Sequence, residues 1–214
     1  MNNQDYKISI FEIANWMNAL RSIDSHPVRT RMLDAFWYGQ LISKGWLSNQ
    51  LANHVSEKPV NIYIFGGWVG ILANMLFQNE RININKIRSI DIDPWCESIA
   101  DTVNKNYEMN DWKFKAVTSD MSTYKYQTDL YPHIVINTST EHVTQEVYDE
   151  WYSKIPTDTL IVIQGNNLFS CDEHIRCSNN LDEFKFQNRV TDEYWSGELS
   201  TNVYTRYMSI WRKP

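Results

Sequence analysis

The stretch Ile62-Tyr63-Ile64-Phe65-Gly66-Gly67-Trp68-Val69-Gly70-Ile71-Leu72-Ala73 decides how this chain folds. It opens with an apolar, β-branched run and closes with apolar residues at helical spacing, so a strand turns on glycines into a helix. Glycine takes positive φ without penalty and lets a ligand approach the main chain closely. Glycine turns also serve purely structural ends, so this segment alone leaves both roles open.

Working outward, the pattern predicts strands alternating with helices. Strands are expected at 60–65, 87–92, 112–117, 133–136 and 159–163, and helices at 71–78, 94–107 and 145–153. Such alternation implies a parallel sheet with helices on both faces, and right-handed crossovers bring the loops after the strands to one edge. The tail, 183–211, alternates residues and reads as a final antiparallel pair. Before the first strand, helices are expected at 8–23, 31–43 and 47–54, with Pro27 breaking the chain between the first two. The expected architecture is therefore a Rossmann-like, doubly wound α/β sheet, mostly parallel, with a C-terminal antiparallel hairpin. Residues 1–58 would form a helical extension packed over the ligand edge, and 59–214 the binding domain.

Two further segments add chemistry. The second strand ends in Ser89-Ile90-Asp91-Ile92-Asp93-Pro94, about twenty residues beyond the glycines. An acid at this place can accept hydrogen bonds from both hydroxyls of a ribose. Asp91 is the better candidate, because Asp93 before Pro94 reads as a helix N-cap. After the third strand comes Thr118-Ser119-Asp120-Met121. There Asp120 can accept from an adenine amino group and Met121 can pack on the base; the bland alternative is a solvated loop aspartate.

In this order the segments resemble the class I S-adenosylmethionine-dependent methyltransferases over residues 60–165, and the hairpin tail is similar to that family's last two strands. The resemblance implies S-adenosyl-L-methionine as cofactor. It puts Gly66, Gly67, Trp68 and Gly70 in the glycine-rich loop, Asp91 at the ribose, and Asp120 with Met121 at the adenine. The layout is also similar to small methyltransferases of tailed bacteriophages. Two positions depart from the family pattern. Ile64 stands where an acid is usual, and Trp68 replaces the middle glycine, where it would narrow the loop or stack near the sulfonium. A nicotinamide enzyme is the competing reading, but Gly66, Gly67 and Gly70 lack the G-x-G-x-x-G order.

The acceptor edge is expected after the fourth strand, at Asn137-Thr138-Ser139-Thr140-Glu141-His142. Methyl transfer is an in-line displacement, so the protein aligns the acceptor and removes its proton where needed. His142 or Glu141 can act as base and Asn137 can hold the acceptor. Equally, Asn137 can tie down the turn while Glu141 opens the next helix. The loop lacks the prolines and aromatic of many nucleobase amino-methyltransferases, which weighs against base flipping. Gln164-Gly165-Asn166-Asn167 and Glu173-His174 add polar groups to the same edge. Cys171, His174 and Cys177 are spaced like three metal ligands but lack a fourth, so no metal is expected. In the aromatic stretch 36–47, Lys44 can pair with the methionine carboxylate or an acidic substrate, or simply be solvated.

Composition sets outer bounds. The 214 residues suit one α/β domain, and 43% hydrophobic with 21% charged residues is too apolar for disorder. No apolar run approaches the ~18 residues of a membrane span. The polar start lacks a signal-peptide pattern, and three cysteines make no even disulfide set, so a reduced cytoplasmic setting is expected. The net charge of -6 weighs against non-specific nucleic-acid binding. The functional expectation is methyl transfer to a small polar molecule or an exposed protein group. Its alternatives are a catalytically degenerate binding module and a transferase moving another group of the same cofactor.

Overall fold

The computed structural model describes residues 9–108, 111–127 and 129–214. The polar start, and Ile8 of the first expected helix, lie outside them. Three helices, α1 (Ile10–Arg21), α2 (His26–Asp34) and α3 (Tyr38–Leu51), precede β1 (Val60–Phe65). Then follow α4 (Ile71–Phe77), β2 (Ile84–Asp91), α5 (Pro94–Val103), the single turn α6 (Lys105–Glu108), β3 (Phe114–Thr118) and β4 (Ile134–Asn137). A 3-10 turn (Thr140–His142), α7 (Gln145–Lys154), β5 (Leu160–Asn166), α8 (Leu181–Gln187), β6 (Trp195–Ser200) and β7 (Thr205–Arg212) complete the chain.

The seven strands form one sheet in the order β3-β2-β1-β4-β5-β7-β6. The first five are parallel, and β7 runs antiparallel to both β5 and β6. This is the expected Rossmann-like sheet with its antiparallel end. β1 is buried at every position, as a strand covered on both faces must be. Its side chains alternate: Ile62 and Ile64 join one core cluster, Tyr63 and Phe65 the other. The chain leaves β1 toward β2 and β3, then returns to lay β4 on the opposite side of β1. The switch point, where doubly wound sheets bind their ligands, therefore lies at the carboxyl ends of β1 and β4.

Three sequence expectations are corrected. Pro27 does not separate two helices but sits in the first turn of α2, where its missing N–H goes unneeded. The helices expected at 31–43 and 47–54 are redistributed: α2 ends at Asp34, and one continuous α3 follows. Residues 183–187 are not strand but belong to α8. Asn180 accepts from the Glu183 N–H and starts the helix, which buries Phe184 and leaves Phe186 exposed. Read as a strand, the alternating Phe184 and Phe186 would share a face; in the helix they point apart. Among the described residues no helix is long and apolar enough to cross a membrane.

Candidate active site at the carboxyl edge of the sheet

The glycine turn is held by its neighbours on both sides. Gly66 (φ 63°), Trp68 (φ 49°) and Gly70 (φ 77°) are left-handed, and Gly70 is the N-cap of α4. A side chain on Gly66 would place its Cβ 2.2 Å from Ser139 Oγ, in the loop after β4. Gly66 is therefore glycine for two reasons, its φ and the close approach of two strand ends. Trp68 adopts the same strained region with a full side chain, and its backbone N–H donates to Asp91 Oδ2 at 2.8 Å. Asp91 Oδ1 accepts from Asp93 N at 3.0 Å. The carboxylate at the end of β2 thus fastens the glycine loop to the turn into α5. As expected, Asp93 caps α5, accepting from Trp95 N at 3.0 Å.

Beyond β3, Asp120 Oδ1 accepts from both the backbone N and the hydroxyl of Ser122 at 2.8 Å. Met121 is half-buried against the aromatic cluster under β1 and β4, and its sulfur lies 3.6 Å from Asn137 Nδ2. The Asn137 side chain is fully buried, and its Oδ1 accepts from Ser139 N at 2.9 Å. Through this bond it ties down the turn.

Next to the switch point lies a polar core that the sequence pattern concealed. Glu141 is buried, and its Oε1 accepts from Arg206 Nη1 at 2.8 Å and from Asn166 Nδ2 at 2.5 Å. Its backbone carbonyl accepts from the N–H groups of Ile175 and Arg176. Lys44, from α3, is buried close by; Nζ donates to Gln40 Oε1 at 2.5 Å and stands 6.0 Å over the Trp68 ring. Burial, reinforced by the Arg206 charge, pushes the Lys44 amine down to about 7. α2 reaches the same edge through Arg31, whose guanidinium donates to Asp93 Oδ2 at 2.7 Å. Arg206 was not anticipated. The available signal was its register: in β7 it shares a face with Met208 and Ile210, so a cation there needs a buried partner.

His142 is exposed, with Nδ1 3.2 Å from the carbonyl oxygen of Glu173, and its ring packs edge-on to His174 with centroids 4.7 Å apart. Ligand atoms of Glu141, His142 and His174 all lie within 4.8 Å of one another. Of the three residues weighed as metal ligands, only His174 joins this group among the described residues. Cys177 Sγ instead faces Asn166 Oδ1 at 3.4 Å.

No protein-family model and no curated protein matches the chain. Solved structures do. The N-methyltransferase NodS of Bradyrhizobium japonicum WM9, in complex with S-adenosyl-l-homocysteine, superposes with a TM-score of 0.65 at 11% identity, covering 94% of this chain and 98% of its own. The magnesium protoporphyrin IX methyltransferase ChlM of Synechocystis PCC 6803 gives 0.63 at 12% identity, covering 96% and 95%. The fold is that of the class I methyltransferases. The ribosomal protein L11 methylase of Lactobacillus delbrueckii subsp. bulgaricus matches less closely, at 0.54 and 12%, covering 80% and 79%. None of these three methyltransferases comes from a bacteriophage, so the likeness to phage enzymes gains no support from them. At such identities the fold is what is shared.

Proposed function

We propose that the chain is an S-adenosylmethionine-dependent methyltransferase whose acceptor is a small polar molecule or an exposed protein group. One observation carries this reading. Three adjacent strands, β1, β2 and β3, end side by side in the glycine turn, Asp91, and Asp120 with Met121. That is the order in which the resembled family holds methionine, ribose and adenine. NodS and ChlM, which share the fold, were solved with S-adenosyl-l-homocysteine, and ChlM with S-adenosylmethionine as well.

The residues present fit this cofactor. Each Asp91 oxygen holds one backbone N–H and Cys96 also bonds the carboxylate, which leaves it a lone pair for a ribose hydroxyl. Lys44 is a buried amine with Gln40 as its one hydrogen-bond partner among the described residues, so donors remain for a methionine carboxylate. In the same reading α1 to α3 cover the cofactor edge. When bound, the cofactor supplies an electrophilic methyl group on a cationic sulfur. The Trp68 ring offers that charge a π face. Of the proposed proton acceptors, His142 is exposed, whereas Glu141 is engaged by Arg206 and Asn166.

Calorimetric titration with S-adenosylmethionine and S-adenosyl-l-homocysteine tests the reading, and absence of binding at millimolar ligand overturns it. A second reading draws on Trp68 and Ile64: a module that keeps the cofactor and no longer turns over. Product mass across an acceptor panel separates the outcomes. A gain of one methyl group supports transfer, a gain of the aminocarboxypropyl arm marks a different transferase, and no gain favours the module.

A further inference from the structure

We infer that Glu141, His142 and His174 form a binding site for a divalent first-row transition-metal ion. The three ligand atoms come from two segments, the 3-10 turn after β4 and the loop after β5, and lie within 4.8 Å of one another. Two ligands at the roughly 2.0–2.2 Å that imidazole and carboxylate require stand at most about 4.4 Å apart, so a common centre takes a small inward movement, which the exposed His142 ring can supply. Two imidazoles and one carboxylate on one side of an ion leave its other positions open to an oxygen ligand.

Each ligand is prepared in a way that packing alone does not explain. Glu141 is 2% exposed, yet its Oε2 is buried without a hydrogen-bond partner. A buried carboxylate oxygen left bare is costly, and a cation removes that cost. The companion Oε1 is fixed by Arg206 and Asn166, so Oε2 is held in one direction. His142 Nδ1 faces the Glu173 carbonyl oxygen, which accepts only, so this nitrogen carries the proton and Nε2 keeps its lone pair. Metal-bound histidines are oriented by this same kind of outer hydrogen bond. His174 Nδ1 is also buried without a partner.

The local charge selects the class of ion. Arg206 adds positive charge beside a single carboxylate, and half of that carboxylate is already engaged. Hard cations that depend on several anionic oxygens, such as Mg2+ or Ca2+, are poorly served. Ions that take imidazole nitrogen, with Zn2+ and Co2+ as accessible examples, are served well. An occupied site gives His142 the task of holding the ion and removes it as a proton acceptor. The site is inferred from its own geometry and does not rest on methyl transfer.

The test is a titration of the chelator-treated full-length protein with Co2+, followed by visible absorption, and with Zn2+ by calorimetry, without cofactor or acceptor. One equivalent should bind, with ligand-field bands in the cobalt form, while Mg2+ and Ca2+ give no saturable signal. His142→Ala and His174→Ala should each weaken binding by about 100-fold or more, beyond the 10–100-fold typical of losing an outer-shell partner. His142 is exposed, so its variant should fold, as circular dichroism would confirm. Cys171→Ser and Cys177→Ser should leave the affinity unchanged. Absence of saturable Co2+ and Zn2+ binding, an affinity unchanged from the natural sequence in either histidine variant, or loss in the cysteine variants would overturn the site. None of these results bears on whether S-adenosylmethionine binds, so the two readings fail separately.

Discussion

Arg206 and Glu141 form an ion pair almost wholly withdrawn from water: Nη1 lies 2.8 Å from Oε1, with side-chain exposures of 6% and 3%. The pair clamps β7 to the turn after β4, across β5. Removing one partner strands the other charge in the interior. Arg206→Met should therefore cost about 3–5 kcal/mol of unfolding free energy. Adding Glu141→Gln to Arg206→Met should recover part of that loss, because no net charge is left buried. Urea denaturation of the two variants measures both numbers. A loss below about 1 kcal/mol in the single variant, the range of exposed pairs, would show that the ions are solvated.

A second relationship fixes how closely the turns after β1 and β4 approach. Gly66→Ala brings a Cβ to 2.2 Å from Ser139 Oγ and 2.5 Å from Ser139 Cβ, at a φ of +63°. Two penalties add: about 1–2 kcal/mol for the left-handed backbone and about 1–3 kcal/mol for the overlap. Ser139→Gly in the same chain removes the overlap and leaves the backbone term. The double variant should thus regain part, never all, of the stability lost by Gly66→Ala. Full recovery would mean that the φ at this position relaxes freely.

Asp91 has two tasks, and they separate experimentally. Its carboxylate fastens Trp68 N and Asp93 N, so Asp91→Ala should lower the unfolding midpoint by freeing the turn. If the same carboxylate also receives the ribose hydroxyls, affinity for S-adenosylmethionine should fall by roughly 100-fold or more. A destabilised variant with unchanged cofactor affinity would confine Asp91 to the loop.

The sheet was legible because β1 is a buried parallel strand and must be apolar throughout, and because the glycines after it answer to backbone geometry. The tail misled because Phe184 and Phe186 satisfy a two-residue period by accident, and the N-cap at Asn180 outweighs it. At the site, Asp91, Lys44 and Glu141 were marked by residue type and position in the strand–helix order. Arg206 was not, and neither was the pairing of Glu141 with Asn166 and His174. The Glu141–Arg206 pair spans 65 residues of sequence, and Asn166 and His174 converge on the turn after β4 only once β5 lies beside β4. Local periodicity carries no information on such contacts. Trp68 in a left-handed turn was also unreadable, since glycine or asparagine is the usual occupant.

Lys44 should link cofactor binding and stability to pH. In the fold its amine is lowered from 10.5 to about 7, chiefly by burial and then by the Arg206 charge. Between about pH 7 and 10.5 the unfolded chain therefore binds the proton that the folded chain has released, so stability rises with pH in this window. Below about pH 7 both states carry the proton and the penalty is complete, at most about 5 kcal/mol from the shift at about 1.4 kcal/mol per unit. Lys44→Met lacks this penalty. Its stability advantage over the natural sequence should be constant below pH 7 and shrink steadily toward pH 10. Pairing with a methionine carboxylate would raise the amine again. S-adenosylmethionine binding at pH 8 should then take up a proton, and affinity should fall by up to about tenfold per unit as pH rises further. Calorimetry of chelator-treated protein, in two buffers of different ionisation enthalpy, reads the uptake directly. If the binding heat at pH 8 does not depend on the buffer, Lys44 does not hold the carboxylate.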